Sequence, residues 1–299
     1  MSVTRWAWSL LVPFGAALGQ GPDTAAINPE QVEARFHYQT GKVVIGGGLA
    51  TLELPKTFRY LDPKETDLVL TTWGNPPGNT TLGMLVPTGT SVFAAESWAV
   101  VIQYDEDGHV DDADAAKIDY AKMLRDLQRQ TRDDNDERTK AGYPPVEFVG
   151  WAETPSYDGS SHKLYWAKDL RFGTERGPHT LNYNIRVLGR RGVLILNAVA
   201  TMDQLQSVKA GMANVIAFVD FNEGHRYGDF VAGRDKVAEY GIAALIAGGI
   251  AAKAGFFKLL LAGILALKKV LVVAVVAIGA WLKRLFGRKS STTPPPPQA

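Results

Sequence analysis

The stretch that most constrains this chain lies near its end. Residues 237–286 read VAEYGIAALIAGGIAAKAGFFKLLLAGILALKKVLVVAVVAIGAWLKRLF, with one acid, Glu239, and lysines scattered after it. A bilayer's hydrocarbon core is about 30 Å thick and takes roughly 20 apolar helical residues to cross. Residues 237–257 supply that length with only Glu239 and Lys253 as charges near the ends, and so predict one transmembrane helix.

Beyond it, Lys268 and Lys269 cut the apolar run into two pieces too short to span comfortably. On a helix turning about 100° per residue, Lys253, Lys258, Lys268, Lys269 and Lys283 share an arc of roughly 160°. Phe256, Leu260, Leu267, Ala274 and Trp281 lie opposite them. Residues 258–287 therefore predict a basic amphipathic helix in the headgroup region, the alternative being a second crossing from about residue 259 to 282. Lys283, Arg284, Arg288 and Lys289 favour the cytoplasmic side, which a single crossing satisfies. Ala243, Ala247, Ala251 and Gly255 recur every fourth residue. Such a small-residue stripe lets a second copy or another membrane protein approach, although Ala and Gly are common in such spans for no specific reason.

At the other end, Arg5 precedes the apolar WAWSLLVPFGAALG, a pattern of basic start, short apolar core and small-residue exit that predicts a signal peptide over 1–19. An uncleaved anchor is the alternative. Leader and crossing together place an extracytoplasmic domain at 20–226, a glycine-bearing linker at 227–236 and a disordered tail at 288–299. The expected location is a bacterial inner membrane with the main domain on its outer side and the lipid bilayer as a partner. With no cysteine and a net charge of +1, the chain offers no thiolate metal site and no bulk charge for nucleic acid.

Within the domain, KVVIGGGLATLELP reads as two strands joined by Gly46, Gly47 and Gly48, a hairpin turn and not a phosphate loop. Asp62 with Pro63 opens a short helix, and LGMLVP and SWAVVIQY are strands. A helix capped by Asp111 or Asp112 is expected to run to about Lys140, burying Ala115, Ile118, Ala121, Leu124 and Leu127. Four apolar-rich runs follow between residues 146 and 201, the last two joined by a hairpin at 189–192. Then Leu205, Val208, Met212, Val215, Ile216 and Val219 mark one side of a helix. Antiparallel strands with helices between them predict an α+β fold: an antiparallel sheet with packed helices, followed by the transmembrane and amphipathic helices.

Chemistry-bearing patterns are few. In QYDEDGHVDDAD, Asp105, Asp107, Gly108 and Asp114 match positions three, five, six and twelve of a calcium loop, but Gln103 is a poor first ligand and the incoming segment reads as a strand. A turn and a helix cap explain the same acids. The histidines at 37, 109, 162, 179 and 225 show no metal-ligand spacing. Ser160, Ser161 and His162 adjoin each other without a nucleophile elbow. Trp73, Trp98, Trp151 and Trp166 suit either a ligand groove or a core, and the core is the ordinary reading. Arg186, Arg190 and Arg191 suit either an anionic ligand or solvent. No catalytic residue, bound metal or cofactor is expected.

The order of several stretches resembles a bacterial family of uncharacterised membrane-anchored proteins, domain of unknown function two-one-six-seven. The carrying residues are Trp73-Gly74-Asn75-Pro76-Pro77, Asp107-Gly108-His109-Val110 with Asp111 and Asp112, Leu181-Asn182-Tyr183, Leu188-Gly189-Arg190-Arg191-Gly192-Val193-Leu194, Tyr227-Gly228-Asp229-Phe230 and Ala251-Ala252-Lys253-Ala254-Gly255. The resemblance implies an envelope protein held by its C-terminal end and transfers no active residue. The expected function is a membrane-anchored envelope protein whose exported domain binds a protein or ligand. The alternatives are an envelope enzyme using the acids of 105–114 with His109, and a membrane assembly protein.

Overall fold

A computed structural model describes residues 29–248, apart from 74, 76, 141, 174–176 and 178. Every described residue belongs to the first of the chain's two units, Met1–Gly249. A one-turn helix, α1 (Pro29–Glu33), precedes the hairpin of β1 (Lys42–Ile45) and β2 (Ala50–Glu53). Gly46, Gly47 and Gly48 in its turn have φ of 60°, 66° and 102°, a region closed to most side chains. After β3 (Phe58–Leu61), α2 (Pro63–Thr72) starts where Asp62 Oδ1 accepts from the Glu65 amide at 2.8 Å. Then come β4 (Gly83–Pro87), β5 (Ala99–Asp105), α3 (Tyr120–Lys140), β6 (Val146–Asp158), β7 (Lys163–Phe172), β8 (His179–Leu188) and β9 (Val193–Thr201). The described chain ends with α4 (Leu205–Phe218), β10 (Val219–Phe221) and α5 (Ile242–Ala247).

The result is an α+β fold built on one seven-stranded antiparallel sheet in the order β3-β4-β5-β9-β8-β7-β6, with a small sheet β1-β2-β10 beside it. Alternation along the strands decides which face each residue joins. Leu181, Tyr183, Ile185 and Val187 of β8 and Leu194, Leu196 and Ala198 of β9 pack with the small sheet and with Val208, Met212 and Val215 of α4. The opposite face carries three separate clusters. One joins α2 to Leu61, Met84, Val86 and Val101; a second joins α3 through Leu127 to Phe148, Leu170 and Phe172; a third joins α5 through Ile242 and Ile246 to Leu164, Trp166, Leu188 and Ile195.

Two expected helices begin or end elsewhere. α3 starts at Tyr120, because Asp119 Oδ1 accepts from the Lys122 amide at 2.8 Å while Ile118 is extended. Ala115 and Ile118 consequently pack beside α5, Ala121 is exposed, and Leu124 and Leu127 keep their expected contacts. α4 stops at Phe218, and Val219 begins a strand that pairs with Leu52. Along β6, a sheet edge, Asn135 of α3 accepts from the Val146 amide at 2.8 Å and donates to its carbonyl at 2.9 Å, standing in for a neighbouring strand.

The larger correction concerns residues 222–247, a strap lying against the sheet and the 105–114 turn. The stretch 227–236, expected as a linker, is packed: Phe230 stacks on His109, and Arg190 forks onto Asp235 at 2.7 and 3.1 Å. Nor does a crossing begin at Val237. That residue makes a parallel bridge with His109, and Lys236 and Ala238 are hydrogen-bonded to the His109 backbone at 2.8 Å. Ala243 and Ala247 of the small-residue stripe belong to the six-residue α5, which ends at Gly248 in the left-handed region, and Ala247 packs toward α3. The reason is local: Ile242 and Ile246 have an apolar cluster of the domain to bury against. Among the described residues no helix is long and apolar enough to cross a membrane. Ala251, Lys253, Gly255, Lys258, Lys268 and Lys269, with the expected leader, amphipathic helix and tail, lie outside the described residues.

Candidate functional site

The acids of the 105–114 turn diverge. Asp107 accepts from the Tyr240 hydroxyl at 3.2 Å, Asp111 from the Ala113 amide at 2.8 Å and Asp112 from the Tyr157 hydroxyl at 2.6 Å. Asp114 takes the Ile242 and Ala243 amides at 3.0 and 3.1 Å, closing the first turn of α5. The weak metal candidates Asp105, Asp107 and Asp114 thus do not converge, and no group of three or more His, Cys, Asp or Glu is placed to hold a metal among the described residues. Gly108 sits at the calcium-loop position for another reason. With φ of 118°, it passes the strap so closely that a Cβ would lie 2.8 Å from the Lys236 carbonyl oxygen.

Beside this turn, four rings lie in series, stacked at the two outer contacts and tilted at the middle one. Centroids are 4.1 Å apart from Phe230 to His109, 4.2 Å from His109 to Tyr227 and 3.9 Å from Tyr227 to His162. Burial pushes the His109 pKa down, against the carbonyls of Gly189 and Arg190 and the charges of Asp111 and Asp112, which push it up. His162 Nδ1 lies 3.1 Å from the Tyr157 hydroxyl, while Ser160 and Ser161 donate to Asp158, so these three form no catalytic set. His37 pairs with Glu65 and His179 with Asp169, both at 2.9 Å.

The tryptophans and arginines that suited two readings separate cleanly. Trp73 and Trp98 are core residues, and Trp151 meets Phe148 edge-on with its Nε1 3.4 Å from the Tyr120 carbonyl. Arg190 is spent on Asp235, whose carboxyl it holds down at about 2. Arg191 lies 3.7 Å from the same acid. Arg186 differs. It rises near the C-terminal end of β8 with its guanidinium 4.9 Å above the ring of Trp166, itself 1% exposed.

Arg186 belongs to a polar strip crossing the three-cluster face between the residues covered by α2 and those covered by α3 and α5. Register places Lys168 opposite Asn182, Trp166 opposite Asn184, and Asn184 opposite Asn197. Arg186 donates to Asn197 Oδ1 at 3.1 Å and to the Ile185 carbonyl at 2.9 Å. The buried Asn184 amide donates to Asn182 Oδ1 at 2.8 Å. Lys168 Nζ stands 5.6 Å over the Phe148 ring. Among the described residues no carboxylate lies within 4.0 Å of Lys168 or Arg186. Both side chains are half-buried. Burial draws Lys168 down to about 8, with the Arg186 charge adding to it, and draws Arg186 down to about 9, with Asp105 opposing.

The sequence reading missed Lys168, Asn182, Asn184 and Asn197. The signal was present in L-N-Y-N-I-R, where the residues between the core positions of β8 are all polar. A strand of a covered sheet ordinarily buries apolar side chains on both faces.

The class defined by this architecture is an antiparallel α+β domain with helices on both faces of its main sheet. The chain belongs to the family described as protein of unknown function (DUF2167), whose model matches residues 37–279. Among solved structures it is similar to cyanobacterial PsbP (CyanoP) from Synechocystis at 12% identity and a TM-score of 0.34, over 69% of this chain and 99% of that one. It is also similar to LpqN, involved in cell envelope biogenesis of Mycobacterium tuberculosis, at 14% identity and a TM-score of 0.32, over 68% of this chain and 99% of that one. Among curated proteins none matches.

Proposed function

We propose that this protein is a binding module of the bacterial cell envelope, tethered through its C-terminal segment, whose ligand presents an anionic group to Lys168 and Arg186. The observation that carries the reading is the strip itself. Two cations stand half-buried on a sheet face, one held by Trp166 and Asn197, with no carboxylate within 4.0 Å among the described residues. Taking charge out of water is costly unless an opposite charge joins it, so an arriving anion recovers what burial costs these groups. The planar guanidinium, oriented beforehand, suits a carboxylate or phosphate. The tether reading is supported by the apolar sequence after residue 249 and by the leader-like start.

The test is the thermal stability of the full chain at constant ionic strength as phosphate replaces chloride. The midpoint should rise with phosphate by mass action. Arg186→Gln should remove most of the rise while leaving the midpoint in chloride within a few degrees. Equal responses of the parent chain and Arg186→Gln would sink the reading.

A further inference from the structure

We infer that the anionic group received by the strip is the phosphate of an anionic phospholipid headgroup, in the bilayer beside which the chain leaves the domain. The inference rests on the anion-binding reading and adds the ligand's source. α5 runs alongside the strip: Tyr240, just before it, is within electrostatic reach of Arg186, and Ala247, at its end, packs on the cluster containing Phe148, the ring beneath the Lys168 ammonium. The chain therefore departs at Gly248 from the sheet face that carries the two cations. The residues after Gly248 form the apolar stretch expected to meet lipid, so along the chain a lipid surface is the anion source that follows directly on the strap.

The side chains that follow the strap do not favour that stretch of the chain as the occupant. No Asp or Glu follows Glu239, whereas Lys253, Lys258, Lys268 and Lys269 repeat the positive sign of the strip. An external anion is the better match, and anionic lipids gather at basic juxtamembrane surfaces. The strip also offers more than charge. Arg186 can fork onto two phosphate oxygens, Lys168 adds a point charge, and the amides of Asn182 and Asn197 offer partners for headgroup hydroxyls.

The experiment uses the full chain in dodecyl maltoside micelles, titrated separately with dihexanoyl phosphatidylglycerol, dihexanoyl phosphatidylcholine and inorganic phosphate, with binding followed by tryptophan fluorescence and by melting. Phosphatidylglycerol should bind saturably and at least tenfold more tightly than the other two. Arg186→Gln and Lys168→Gln should each weaken it tenfold or more, and Arg186→Lys should restore part of the loss, circular dichroism confirming that each variant is folded. Phosphate binding as tightly as phosphatidylglycerol would overturn the headgroup assignment and leave the anion site standing. Phosphatidylglycerol binding that ignores all three variants would place the lipid elsewhere and overturn it too. If neither anionic probe binds the folded parent chain, both readings fall.

Discussion

His109 is held between Phe230 and Tyr227, 8% exposed, with its Nδ1 buried and without a hydrogen-bond partner among the described residues. A neutral ring tolerates that position better than an imidazolium, which would bring a second N–H with nowhere to donate. Its folded pKa therefore lies below the usual value of 6.5, and the unfolded chain takes up the proton first. The stability it contributes is complete near neutral pH and is lost as pH falls below about 6.5 toward the folded value. Urea unfolding at a series of pH values should show this decline between about pH 7 and 5. His109→Phe, which keeps a stacking ring and removes the proton site, should flatten it. Every other titratable group is common to the two chains and cancels in the difference. If the two chains lose stability in parallel, the ring is protonated in the folded state without penalty.

At the scale of elements, α4 contributes an apolar side to the larger core through Val208, Met212 and Val215, each 0% exposed. Met212→Ala removes a buried side chain at a packed site and should cost about 2–5 kcal/mol. The urea midpoint should fall with the slope unchanged, which separates lost stability from a changed unfolded state. That helix was legible because its buried positions repeat at three and four residues, and the hairpin of β8 and β9 because Gly189 to Gly192 interrupts two apolar runs. The start of α3 was not, since Asp111, Asp112, Asp114 and Asp119 all resemble caps and only packing against α5 selects the last. The strap was misread for a related reason. Ile242 and Ile246 look alike in sequence whether they face lipid or a cluster of the domain, and hydropathy does not record which apolar surface is nearer. The strip was legible in β8 as alternation, but its partners Lys168 and Asn197 come from other strands and meet Arg186 only through register.

For the whole molecule, the strap redefines where the domain ends. Cutting the chain before Lys236 strips α5 from Val110, Leu164, Trp166 and Ile195 and removes the bridge between Val237 and His109. Cutting after Gly248 leaves them intact. The longer product should melt cooperatively and the shorter one should aggregate or melt at least 10 °C lower, followed by circular dichroism and light scattering. Equal melting of the two would show that residues 236–248 add nothing to the fold.

The bridge between residues 109 and 237 also sets a timetable for synthesis. It closes one of the longest loops in the domain, and its later partner lies almost at the point where the apolar tail begins. Contacts this distant in sequence form late, since the ordering cost of the intervening chain must first be met by other pairings. A nascent chain can assemble its sheet early, yet it cannot cover Val110 and Trp166 until the final described helix has emerged from the ribosome. The last step of maturation and the synthesis of the apolar sequence that follows it therefore fall close together in time.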